Sequence, residues 1–103
     1  MKNYIIQRTK DGLLLICESL NKKGQVEKFV PSGPFEIGDA SRESLALAAA
    51  IMTHYFGSDA PAQAEVRRKT LPFLNGFLGH HKMALGATYE ISSDVIDRWA
   101  SLL

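Results

Sequence analysis

From Ser44 to Phe56 the chain reads Ser-Leu-Ala-Leu-Ala-Ala-Ala-Ile-Met-Thr-His-Tyr-Phe, and Gly57 follows. No other stretch constrains the fold as strongly. Leu45, Ala48, Ala49, Met52, Tyr55 and Phe56 fall on one helical face, and Leu47, Ala50, Ile51 and His54 form a second apolar strip beside it. A helix that is apolar nearly all round is a buried one. The spacing predicts a central buried helix at about 42–56, with the remaining elements packed around it. Asp39 or Ser41 can cap its start, Glu43 sits in the first turn against the dipole, and Gly57 occupies a C-cap position.

The chain ahead of this helix suits a small antiparallel sheet. Residues 3–8 and 13–18 are rich in β-branched and apolar side chains, and Asp11-Gly12 is a turn signal between them. The turn is expected over Thr9 to Gly12, slightly longer than two residues. Asn21-Lys22-Lys23-Gly24 forms a second turn, and residues 26–30 suit a third strand. One face of this meander is expected to carry Ile5, Leu13 or Leu14, Ile16 and Phe29 onto the helices. Pro31, Gly33, Pro34 and Gly38 then punctuate a loop, with room for a short extended piece at Phe35-Glu36-Ile37.

Beyond Gly57 a second helix is expected near Asp59, with Pro61 in its first turn. Pro72 predicts a kink or break in it, because the ring has no N–H to give the Arg68 carbonyl. Thr88 to Ile91 is a candidate fourth strand. Ser92 or Ser93 caps a last helix with Val95, Ile96, Trp99, Leu102 and Leu103 on its apolar side. The fold class is therefore α+β: three or four antiparallel strands packed on three or four helices. The 103 residues make a single compact domain over 1–103.

Net charge makes no strong statement about partners. A formal charge of +1 is neither the strong positive balance of a dedicated nucleic-acid binder nor the negative balance of a nucleic-acid mimic. Cys17 is the only cysteine, so no internal disulfide and no cysteine-based zinc site can form, which suits a reducing cytoplasm. It lies in the apolar run 13–17 and is expected to be an inert core thiol. Met1 to Tyr4 lacks the form of a signal peptide, and the longest apolar run, Leu45 to Met52, is too short to span a bilayer.

Catalytic patterns are sparse. His54, His80 and His81 are the only histidines, and adjacent His80 and His81 would not chelate together, so no metal or cofactor is expected. There is no Gly-x-Ser-x-Gly elbow. The 33–38 loop lacks the Gly-Lys-Ser/Thr ending of a phosphate loop, and its acidic residues would repel an anion. Glu36 and Asp39, three apart, are the best pair for acid–base chemistry, although such residues more often cap a helix or solvate a loop. Charge is unevenly placed. Between Ala60 and Tyr89 the only acid is Glu65, against Arg67, Arg68, Lys69 and Lys82; acids gather at 36–43 and 90–97. A basic edge of this kind can hold phosphates or dock on an acidic protein surface.

Several of these features occur together in one pattern. Tyr4, Arg8 and Asp11-Gly12, the loop Pro31-Ser32-Gly33-Pro34-Phe35-Glu36-Ile37-Gly38, the run Leu45-Ala46-Leu47-Ala48 and the ending Tyr55-Phe56-Gly57 resemble a family of short bacterial and phage proteins catalogued as a domain of unknown function. The chain departs from that pattern at Pro34, which is inserted, at Ile37, which stands for a Trp, and at Asp39-Ala40-Ser41, which replace a longer glycine-rich run. The resemblance implies a fold and a mobile-element setting; it brings no reaction with it.

The favoured expectation is a non-enzymatic module that binds a bacterial protein or complex in the cytoplasm, in its most concrete form an anti-CRISPR-like inhibitor of a bacterial defence system. The expected partner-binding residues are Phe35, Glu36, Ile37 and Asp39 on the loop, and Arg67, Arg68, Lys69 and Lys82 on the basic edge. The alternatives are a nucleic-acid-associated protein using those four cations, and a small enzyme using Glu36 and Asp39.

Overall fold

A computed structural model describes residues 1–102. Four antiparallel strands form one sheet: β1 (Lys2–Thr9), β2 (Gly12–Leu20), β3 (Val26–Phe29) and β4 (Thr88–Ser92), in the order β3-β2-β1-β4. Three α-helices accompany it: α1 (Arg42–Phe56), α2 (Ala60–Phe73) and α3 (Ser93–Ala100), with a π-helical turn at Leu74–Leu78 directly after α2. This is the α+β architecture that the patterning predicts.

The turns follow from local chemistry. Thr9 pairs with Gly12, so the first hairpin closes on the two residues Lys10 and Asp11, tighter than expected. In the second turn the Asn21 Oδ1 accepts from the backbone N–H of Lys23 and of Gln25, each at 2.9 Å, an Asx-type substitute for backbone pairing. The third strand is one residue shorter than expected and ends at Phe29. The last strand joins the sheet beside β1, pairing Tyr4 with Ile91 and Ile6 with Tyr89.

The covered face of the sheet is the opposite of the expected one. Tyr4, Ile6, Leu15 and Cys17 are fully buried, whereas Ile5, Leu14 and Ile16 are only half-buried. Residues alternate strictly between faces along a strand. Tyr4-Ile5-Ile6 and Leu13 to Cys17 are apolar at both parities, so alternation alone does not choose between them. Phe29 does share the face of its partner Cys17, but it stands on an edge strand and is 56% exposed.

The helices cover that inner face in two tiers. α1 and α3 lie against the sheet, and α2 packs on α1. Leu47, Ala48, Ile51 and Met52 of α1 are buried with Phe73, Leu74, Leu78 and Ile96. Burying each such Leu, Ile or Phe contributes roughly 1.5–3 kcal/mol. The central helix has the predicted extent but is not buried all round: Leu45, Ala46 and Thr53 face outward. Ser41 is its N-cap, accepting from the Ser44 N–H at 3.2 Å. Asp59 caps α2 and Ser92 caps α3 in the same manner.

Pro72 does not break α2. The helix continues through it to Phe73 and passes directly into the π turn, where Gly79 N–H donates to the Leu74 carbonyl, an i→i+5 bond. Phe73, Phe77 and Trp99 then form an aromatic cluster, with ring centroids 4.9–5.7 Å apart, that ties this turn to α3. Leu102 is exposed beyond the end of α3 instead of packing on its apolar side. Leu103 lies outside the described residues. No helix among the described residues is long and apolar enough to cross a membrane.

Candidate functional site

The 31–41 connection is held inward. Phe35 and Ile37 are buried, with 8% and 5% of their surface exposed, and they belong to the main core. Their expected role as partner-binding residues is corrected by this placement, since alternation around Glu36 sends both apolar side chains under the loop. No strand forms there; one backbone bond, from Glu36 N–H to the Glu43 carbonyl at 3.2 Å, ties the segment to α1.

Glu36 points the other way, into the chain's own Arg8. The Arg8 guanidinium donates from Nη2 to Oε1 at 2.5 Å and from Nη1 to Oε2 at 3.2 Å, while its Nε donates to the Met83 carbonyl at 3.3 Å. The pairing with Arg8 holds the Glu36 carboxyl below the usual carboxylate range. Asp39 is committed as well. Its Oδ1 accepts from Ser41 N–H, Ser41 Oγ and Ser44 Oγ at 3.0, 2.6 and 2.5 Å, and these bonds lower its pKa to about 2. Gly38, between them, adopts φ +86°, and a Cβ there would meet the His81 carbonyl at 3.1 Å and Lys82 Cγ at 3.2 Å. The loop is thus a latch between β1, α1 and the 78–83 segment, and Lys82 packs beside it.

The basic residues on α2 have different fates. Lys69 is half-buried, 3.0 Å from Glu65 Oε2 and over the Phe56 ring at 5.4 Å. Arg68 donates to Glu65 Oε1 at 2.5 Å from an exposed position. Arg67 is exposed and lines a cavity of about 280 Å³ with Thr53, Gly57, Ser58, Gln63 and Val66. Sequence reasoning passed over Leu71, which is 56% exposed on the same helix. Ala64, Arg67, Arg68, Leu71 and Asn75 are all exposed, and their spacing places them on one stripe. The signal was present in the sequence, but Leu71 carries no mark of exposure without knowledge of which face α2 buries.

His54 is built into the fold. Its Nδ1 is hydrogen-bonded to the Tyr4 hydroxyl at 2.9 Å, and its ring stacks on Phe29 with centroids 6.3 Å apart. Lys2 donates from Nζ to the His54 and Tyr55 carbonyls at the end of α1, a cation at the negative end of the helix dipole. Burial lowers the His54 pKa, with Lys2 adding to the effect, and raises the Cys17 thiol to about 11. His81 stacks on Tyr89 with centroids 3.7 Å apart. Among the described residues no three His, Cys, Asp or Glu side chains converge as metal ligands. Compared with known protein families, curated proteins and solved structures, the chain matches none.

Proposed function

We propose that this chain is a non-enzymatic protein-binding module that presents the outer face of α2, with Arg67, Arg68 and Leu71 at its centre, to an acidic surface of a bacterial protein. The supporting observation is the stripe itself: two arginines stand one turn ahead of an exposed leucine on the helix farthest from the sheet, beside a cavity that can take a partner side chain. Arginine with an apolar neighbour is typical of the residues that dominate protein interfaces. The resemblance to short phage proteins gives this reading its most concrete form, an inhibitor of a bacterial defence system working by occupying a partner's surface in the cytoplasm.

The nucleic-acid reading has weaker support. Lys69 is held by Glu65 and Phe56, and the exposed Leu71 interrupts the run of cations. The enzymatic reading is weaker again, because Glu36 and Asp39 are both engaged by donors of their own chain. The test is capture from bacterial lysate by the tagged chain, repeated with Arg67→Glu/Arg68→Glu and with Leu71→Asp. The partner should be retained by the wild type and lost by both variants. Retention by both variants removes the α2 face from consideration, and salt-sensitive binding of duplex or single-stranded DNA by the wild type favours the nucleic-acid alternative.

A further inference from the structure

The sheet has a second face that the helices do not cover. Asn3, Ile5 and Gln7 of β1, Leu14, Ile16 and Glu18 of β2, and Glu90 of β4 point there; Glu90 is exposed and the other six are partly exposed. Ile5 and Ile16 are direct cross-strand partners at its centre. At the Leu20 end of β2, Leu20 and Val26 extend the apolar surface; they are paired across β2 and β3 and are 49% and 57% exposed. An antiparallel sheet can leave a polar face to solvent, but here Ile5, Leu14 and Ile16 run as an apolar strip through the middle of it, continued by Leu20 and Val26.

The charges on this face are arranged by edge. Lys28 projects from β3, one outer edge of the sheet, as the cross-strand partner of Glu18. Glu90 projects from β4, the opposite edge, as the partner of Ile5. Lys28 is 65% exposed and lies 3.8 Å from Glu18, so it is loosely held. Glu90 takes part in no ion pair among the described residues. A two-fold axis parallel to the strands, placed between two such faces, lays β3 of one copy over β4 of the other. It brings Lys28 of each copy to the β4 edge of its partner, level with Ser92 and two residues (about 7 Å) along the strand from Glu90, an offset that two long side chains span, and it stacks the Ile5 and Ile16 rows upon each other at the usual sheet-to-sheet spacing of about 10 Å. By contrast, joining the sheets through two β3 edges centred on Lys28 would set like charges opposite one another, which disfavours that route.

We infer that the occupant of this face is a second copy of the chain, giving a back-to-back dimer in which Lys28 and Glu90 pair across the interface. α2 lies in the tier farther from the sheet. The dimer therefore carries its two α2 faces outward, and each chain can engage its own target.

Sedimentation equilibrium of the full chain from low to high micromolar concentration tests this. A monomer–dimer equilibrium is expected, and Ile16→Lys should abolish it while leaving the circular dichroism spectrum unchanged. Lys28→Glu and Glu90→Lys should each raise the dimer dissociation constant by about tenfold, since every substitution acts at two symmetric contacts, and the double variant should recover most of the loss. A chain that stays monomeric, a dimer indifferent to Ile16→Lys, or a double variant no better than the singles overturns the inference. Because Arg67, Arg68 and Leu71 are not on this face, a monomer that still captures its partner refutes the dimer alone. A dimer that captures nothing refutes the α2 reading alone.

Discussion

Arg8 on β1 grips the carboxylate of Glu36, 28 residues away in sequence, through two side-by-side hydrogen bonds. A guanidinium and a carboxylate matched in this fork geometry hold one orientation of the loop. The pair closes the 31–41 connection over the sheet and positions Phe35 and Ile37 beneath it.

Arg8→Ala should therefore loosen the latch. The pair is partly exposed, so the cost is about 1 kcal/mol, the upper end for such pairs, read as a lower urea midpoint. The folded Glu36 pKa is depressed, so this contribution is fully present above the ordinary carboxylate pKa and is lost as pH falls through the folded one. The difference between wild type and variant should shrink below about pH 4. A constant difference down to strongly acid pH would count against the ion pair as its source.

Phe35→Ala separates a core role from a surface role. Truncating a buried phenylalanine costs about 3–5 kcal/mol, a large part of the stability of a domain this size. Thermal unfolding should show a marked loss, and Ile37→Ala a smaller one. If Phe35 instead served a partner, its removal would leave the midpoint nearly unchanged.

His54 should make stability pH-dependent on the acid side of neutrality. Burial lowers its folded pKa below the unfolded value of about 6.5, so the unfolded chain binds more protons between the two. Stability should fall as pH drops below about 6.5 and level off below the folded pKa. Tyr4, its hydrogen-bond partner, and Cys17, the cross-strand partner of Tyr4, are both shifted upward and do not titrate in that window. His54→Gln should flatten the slope in denaturation series between pH 7 and 5, values chosen to bracket an ordinary histidine. An unchanged slope would assign it to another group.

Gly38→Ala tests the tight approach of the loop to the 78–83 segment. A side chain at φ +86° is strained, and the added Cβ meets the His81 carbonyl. The expected loss is about 1–2 kcal/mol. A Gly33→Ala variant is a useful companion, since its Cβ would fall 2.8 Å from the Phe35 nitrogen.

Much of the architecture was legible in the sequence. The turn residues Asp11-Gly12 and Asn21 to Gly24, the caps at Ser41, Asp59 and Ser92, and the long apolar run before Gly57 act through their immediate neighbours. The local chain therefore carries their signal. The candidate site was less legible. Phe35 and Ile37 look like a binding loop when only Pro31, Pro34 and the glycines are visible, because a loop rich in turn residues gives no sign of what lies beneath it.

What the sequence by itself determined is the order of the strands and α-helices and the caps that start the helices, since capping, turn formation and helical periodicity are properties of contiguous residues. The tertiary structure alone decided which parity of β1 and β2 faces the helices. The runs around Ile5 and Ile16 are apolar on both sides, so the choice fell to long-range partners: Tyr4 meets His54, Arg8 meets Glu36 and Ile6 meets the returning strand at Tyr89. The same choice left Ile5, Leu14 and Ile16 on the open face. It also turned a loop that looked like the working surface into part of the core, because a side chain's burial depends on neighbours far along the chain.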